Sequence, residues 1–336
     1  DNQMSLVNTL LGGTGMLGHH AASAATAAGH DVVVLHRAGS DLSRIADLDA
    51  ECRIADADQS ASLEHAFAGL DAVVNAAAYY PTTPKPWRDE VRTALQQTEG
   101  FLAACRAAGV SRAVYVGGSI ALAPAPAGQL GDETCVRDQP PRTRNPYVQL
   151  KWAMDDHYAQ ASDGRLSVSI AIPAMTFGPY DYGPSTGQLL TRLAKGELRN
   201  YVRGNRNVVA AEDAGRGILA VVERGAANQR YLLTGTNTSM DQLMALAADY
   251  LDLPTPRPVA LPVARAVSAI QGLRYRLGGP PPQISATAIA VMSAGQHLSG
   301  DKAARALDYQ PSLTLEQTIT GTLDWFRAVG YIPAAA

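Results

Sequence analysis

The 336-residue chain is short of cysteine, of charge and of long apolar runs, and each shortage excludes something. Its three cysteines, Cys52, Cys105 and Cys135, are odd in number and lack CxxC spacing, which signals neither a disulfide framework nor a thiolate metal site; a reducing compartment is expected. Charged residues make up only 18% and leave a net charge of −3 with no basic block, so no nucleic-acid partner is expected. The histidines form no HxxxH or HExxH pattern, and no metal centre is expected. No apolar run approaches the roughly 18 residues of a membrane span, and "DNQMSLVNTLLGG" has no basic segment ahead of a hydrophobic one. These features predict a cytoplasmic protein without stable membrane insertion. Asp1 to Gln3, ahead of Met4, stand outside the fold argument.

What is present is alternation. Short runs such as "DVVVLHR", "DAVVNAAA" and "SRAVYVGG" are apolar on both faces and are separated by alanine-rich helical segments. That pattern predicts an α/β fold, a doubly wound parallel sheet covered by helices on both sides. The expected division is a dinucleotide-binding domain over residues 4–173, with 206–236 returning to it. A smaller, mostly helical substrate domain takes 174–205 and 237–332, where proline-rich joints such as "LPTPRPVALP" separate helical segments.

"LLGGTGMLGHHAASAATAAGHDVVVLHR" places Gly12, Gly15 and Gly18, with Met16 and Leu17 between the last two, directly after an apolar strand and at the start of a helix. Glycine permits the tight turn and the close approach of backbone to a pyrophosphate, and the helix N-terminus favours the anion. The second strand ends at His36 and Arg37, where an NAD binder usually carries an acid for the ribose 2′-hydroxyl. A guanidinium pairs with a 2′-phosphate, so Arg37, with Ser40 and Arg44 nearby, favours NADP(H); NAD(H) remains the alternative. Asp56, followed by Ala57, ends the next strand and is either an adenine contact or a helix cap.

In "NPYVQLKWAMDDHYAQ", Tyr147 and Lys151 are four apart and share one helix face, where an ammonium favours the phenolate. Following the glycine loop, this pair resembles the active-site pair of the short-chain dehydrogenase/reductase superfamily. The motifs "GGTGMLG", "YVQLK", "IPAMTFGPYDYGP" and "NVVAAEDAGRGILAVVERG", in that order, are similar to the extended branch, with its NAD-dependent epimerases/dehydratases and bacterial dihydroflavonol-reductase-like proteins. The resemblance implies a Rossmann-type fold and a nicotinamide cofactor. It implies Tyr147 as general acid, Lys151 on the ribose hydroxyls, Ala76 and Ala77 beside the cofactor, and Pro173 with the Gly178–Pro179 step at the nicotinamide end. It also implies a homodimer through two long helices.

Several positions depart from that family's pattern. Gly118 in "YVGGSIAL" stands where a Ser or Thr hydroxyl normally holds the substrate oxygen. Either Ser119 substitutes after a local rearrangement, or a hydroxyl comes from Tyr79, Tyr80 or Thr176, or the site binds without turnover. Leu150, Ala94, Ile172 and Ala210 replace frequent polar residues, and the last two weigh against a sugar-nucleotide substrate. Arg192, Lys195, Arg199, Arg203 and Arg206 could grip an anion or form a solvated face. "PVARAVSAIQGLRYRLGGPPP" reads as a core or pocket-wall helix, with surface membrane attachment as the alternative; Met175, Met240, Met244 and Met292 hint at an adaptable apolar pocket. Taken together these features predict an NADP(H)-dependent oxidoreductase acting on a carbonyl, or the matching alcohol, of a small, fairly apolar molecule. The alternatives are a nucleotide-sugar epimerase or dehydratase and a non-catalytic NADP-binding regulator.

Overall fold

The computed structural model describes residues 7–77, 79, 85–184, 186–278 and 286–334. Seven parallel strands form the main sheet: β1 (Val7–Leu11), β2 (Asp31–His36), β3 (Glu51–Ile54), β4 (Ala72–Asn75), β5 (Arg112–Val116), β6 (Ser167–Pro173) and β10 (Arg230–Leu233). Their spatial order is β10-β6-β5-β4-β1-β2-β3, so the winding reverses between β1 and β4, where ligands collect in such sheets.

The strands are apolar on both faces because both are covered. Val33, Leu35, Val73, Tyr115 and Ile170 pack into one core with α2 (Ser60–Ala66), α3 (Trp87–Ala107) and α4 (Pro146–Tyr158). Val32, Val34, Val74, Val114 and Val116 pack into the other, with α1 (Met16–Ala27) and α6 (Ala211–Arg224). Helices α1 and α6 touch so closely that a Cβ on Gly215 would lie 2.5 Å from the backbone of His20.

The second unit is built on a third core of Phe177, Leu190, Met240, Met244, Leu323 and Phe326. Met240 and Met244 are therefore fully packed core residues, not the walls of an adaptable pocket. Its elements are β7 (Met175–Phe177), α5 (Gln188–Ala194), β8 (Asn200–Val202), β9 (Asn205–Ala210), β11 (Thr236–Ser239), α7 (Met240–Tyr250), β12 (Arg257–Val259), α8 (Leu261–Arg276), α9 (Ala286–Ser293) and α11 (Leu315–Ala328), whereas α10 (Asp301–Leu307) packs through Ala303 and Leu307 on α6 and β10 of the large sheet. Capping boxes Ser239–Gln242 and Thr314–Gln317 start α7 and α11. Within 206–236, α6 and β10 join the large sheet, but β9 lies between β7 and β11 in a separate three-stranded sheet. The sequence of β9 cannot announce this, because apolar residues such as Val208 and Val209 suit either sheet.

Candidate active site

The glycine loop sits at the switch point. Gly12 has φ +90, and a Cβ on it would lie 2.8 Å from that of Ala77, just beyond β4. A Cβ on Gly18 would lie 2.3 Å from the Gly12 carbonyl oxygen, so the helix can approach the loop only with glycine there. Gly13 is equally constrained, by Val34 at 2.5 Å, and falls outside the GxxGxxG pattern. Gly15 caps α1 with no side chain to satisfy the first-turn N–H groups, which leaves them for an anion. Met16 is partly exposed beside them, and Leu17 turns inward against both sheet cores. This cradle, empty of side chains at an uncapped helix start, fits the pyrophosphate of a dinucleotide.

At the end of β2, Arg37 is exposed and makes no ion pair among the described residues, while His36 Nδ1 lies 3.0 Å from the Arg37 carbonyl oxygen. Ser40 closes the turn by donating its N–H to the same oxygen at 3.0 Å. Arg44 is held elsewhere, 3.6 Å from Asp41 and 4.9 Å over the Tyr182 ring. Asp56 accepts from the Asp58 N–H at 3.0 Å and from Gln59 Nε2 at 2.8 Å, a turn-closing role; neighbouring Ala57 packs on the core. Ala76 and Ala77 follow Asn75, whose Oδ1 accepts the Ala77 N–H at 3.2 Å and whose Nδ2 donates to the Tyr158 hydroxyl at 3.0 Å.

Tyr147 and Lys151 lie on α4, which starts at the Asn145 cap, its side chain accepting the Val148 N–H at 3.2 Å. Lys151 Nζ lies 5.9 Å from the centre of the Tyr147 ring and 5.8 Å from that of Tyr115. Burial brings the Lys151 ammonium from 10.5 down to about 8, against the pull of Asp155. Asp155 is itself pushed up by burial although Arg230 pairs with it at 2.7 Å. Tyr115, fully buried beneath this pair and stacked on Tyr158 at 4.3 Å, was not singled out by sequence, because it looks like any strand aromatic.

Ser119 opens a short 3-10 turn, Ser119–Ala121, that packs against α4 and leaves the serine partly exposed. No side-chain hydrogen bond engages its hydroxyl among the described residues. Gly118 is extended, with φ −156 and ψ 141, and a Cβ there would meet nothing within 4 Å. The Tyr79 and Thr176 hydroxyls are occupied. Tyr79 donates to the buried Glu90, a bond that pushes the phenol up to about 12, and Thr176 donates to the Ala174 carbonyl at 3.0 Å. Tyr80 lies outside the described residues. Pro173 ends β6 opposite Leu233 and is buried.

The Gly178–Pro179 step packs on the seam between α1 and α6. A Cβ on Gly178 would lie 2.5 Å from that of Ala211, and His20 Nε2 is 3.3 Å from the Pro179 carbonyl. Beyond it Tyr180, at φ +66, stacks on His19 with ring centres 3.5 Å apart and donates to Asp47 at 2.7 Å, bracing the loop after β2 against the loop after β7.

The model of the NAD dependent epimerase/dehydratase family matches residues 9–233. A solved nucleoside-diphosphate-sugar epimerase from Pseudomonas aeruginosa superposes with a TM-score of 0.84 at 40% identity, covering 97% of this chain and 99% of that one. A putative dihydroflavonol 4-reductase from Synechocystis is 25% identical over 96% of this chain and 94% of its own length. Sterol demethylase protein B from Methylococcus capsulatus is 24% identical over 97% of this chain and all of its own.

Proposed function

Because the chain belongs to the NAD dependent epimerase/dehydratase family, and so to proteins built around a nicotinamide dinucleotide, we propose that it is an NADP(H)-dependent oxidoreductase acting on a carbonyl, or the matching alcohol, of a small, fairly apolar molecule. The observation that supports this reading is Lys151 lying 5.9 Å from the Tyr147 ring on α4, with the turn that Ser119 opens packed against that helix, in a chain whose β1–α1 loop is a side-chain-free anion cradle. The exposed Arg37 favours the phosphorylated cofactor. Relatives named for a dihydroflavonol and a sterol favour an apolar substrate.

Gly12, Gly15 and Gly18 would hold the pyrophosphate, Arg37 the 2′-phosphate, and Lys151 the nicotinamide ribose. When bound, the dinucleotide supplies or accepts the hydride. Tyr147 delivers the proton to the carbonyl oxygen as that oxygen gains charge, and Lys151 favours its phenolate when the proton has left. The Ser119 hydroxyl donates to the same oxygen, taking the part that position 118 cannot play without a side chain.

Titration with NADPH and NADH, on wild type and Arg37→Ala, tests the cofactor half; selective loss of NADPH affinity in the variant is expected, and equal affinities would remove the Arg37 argument. A panel of ketones and aldehydes followed by NADPH oxidation tests the chemistry, which must vanish in Tyr147→Phe. The 40% identical relative favours a second reading, a nucleotide-sugar epimerase. That reading requires tightly retained NAD(H) and binding of a UDP- or dTDP-sugar, and binding of neither excludes it.

A further inference from the structure

Helix α8 turns an apolar face outward. Leu261 and Ala264 pack inward with Val202 and Ile289. Val263, Val267, Ile270, Leu273 and, just past the helix, Leu277 follow one another at spacings of three and four, which puts them on one stripe. All are exposed, Ile270 by 56% and Leu273 by 59%. A solvated helix normally shows its polar side here, and a contiguous apolar stripe marks a surface that is covered in use.

Along the chain, the charge flanking this stripe has one sign. Between Asp252 and Asp301 the chain has no acidic residue, yet it carries Arg257, Arg265, Arg274 and Arg276. Arg274 is exposed within the apolar stripe. A second copy docked face to face would set Arg274 against its own kind, and α8 has no carboxylate to answer it. A bilayer surface offers both an apolar layer for the stripe and anionic headgroups for the arginines. The helix is about 24 Å long at 1.5 Å per residue, and no helix among the described residues is long and apolar enough to cross a membrane. The fitting geometry is a helix lying in the interface plane.

We propose that α8 docks this chain on an anionic bilayer surface. The docked element adjoins the candidate site: α9 packs on α8, and Thr287 of α9 accepts from Asn145 Nδ2 at 3.4 Å, Asn145 being the cap of the helix that bears Tyr147 and Lys151. An apolar substrate held in the bilayer would thus meet the protein beside its cleft. Only that purpose rests on the proposed function; the docking itself does not.

The test is co-sedimentation of the full chain with vesicles of equimolar phosphatidylglycerol and phosphatidylcholine, against vesicles of phosphatidylcholine alone. Binding to the anionic vesicles that weakens with salt is expected. Arg274→Ala should weaken it about fivefold, and the Ile270→Asp, Leu273→Asp double variant at least about tenfold, with melting temperatures unchanged since all three side chains are exposed. The proposal is overturned if wild type ignores both vesicles, if the double variant binds as well as wild type, or if light scattering finds a wild-type dimer that the double variant separates, which would assign the stripe to a second copy. No readout needs turnover, so a failed reductase assay leaves this result to stand or fall alone.

Discussion

Lys151→Met should stabilise the protein while weakening its hold on a dinucleotide. Burial lowers the ammonium from 10.5 to about 8 in the folded chain. Each unit corresponds to about 1.4 kcal/mol, and the partial exposure of this side chain reduces the total to about 2 kcal/mol. Between those two values the unfolded chain keeps a proton that the folded chain has released, so stability rises with pH across the window, and the penalty is fully present below about 8. Methionine carries no such penalty and keeps the apolar stem. With an unfolding entropy of roughly 0.7 kcal/mol/K for a chain of this length, the variant should melt about 3 °C higher at pH 7. At pH 10 the gap should shrink to about 1 °C or less, because most of the folded lysine is then neutral. Scanning calorimetry of both proteins at the two pH values reads the effect directly. A variant that melts lower than wild type at pH 7, or a gap that does not change with pH, would refute the buried-ammonium account of the site. A side chain that costs stability where a ligand is expected to need it is the signature of function outweighing packing.

Gly18→Ala should lower stability by about 2 kcal/mol and abolish dinucleotide binding, since its Cβ would sit 2.3 Å from the Gly12 carbonyl oxygen. Gly15→Ala, whose Cβ would be 3.4 Å from the same atom, should melt like wild type and lose affinity only; equal melting of all three proteins would remove the steric argument. Burial, with His19 as a second cause, lowers His20 from 6.5 to about 4, so the unfolded chain takes up a proton the folded one refuses and stability falls as pH drops through that window. Urea unfolding at pH 7, 5.5 and 4.5 should show a shallower decline in His20→Gln, and identical declines would contradict the assignment. Once a substrate is found, Ser119→Ala should lower kcat by about 10²–10³ at unchanged melting temperature. Should Ser119→Ala leave kcat alone while Gly118→Ser raises it, Ser119 is not the donor and position 118 is the vacant place; the serine fits there, because nothing lies within 4 Å of its Cβ.

Features carried by one loop or one helix were legible in the sequence. The doubly covered sheet is written into Val32 to Leu35, which send alternate side chains into two cores, and the glycine loop is written into Gly12 and Gly18, which have no room for a Cβ. The Tyr147–Lys151 pair follows from helical spacing alone. Features decided by a distant partner were not. Tyr79 reads as a free hydroxyl until Glu90 on the next helix is seen to accept its hydrogen bond, and Asp56 does not show in the sequence that it also closes a turn with Asp58 and Gln59. Tyr115 and Asn75 look like strand residues until α4 places Lys151 over one and Tyr158 against the other. Helical periodicity groups Val267 with Ile270 but cannot say whether protein or water lies opposite, so the same pattern described a core helix and a surface one. Arg37 and Arg44 show the rule within a single loop. Both follow β2 and both suit a phosphate, yet Asp41 and Tyr182 already hold Arg44, while Arg37 has no ion pair among the described residues. On the proposed reading, a 2′-phosphate would therefore fall to Arg37 and not to Arg44.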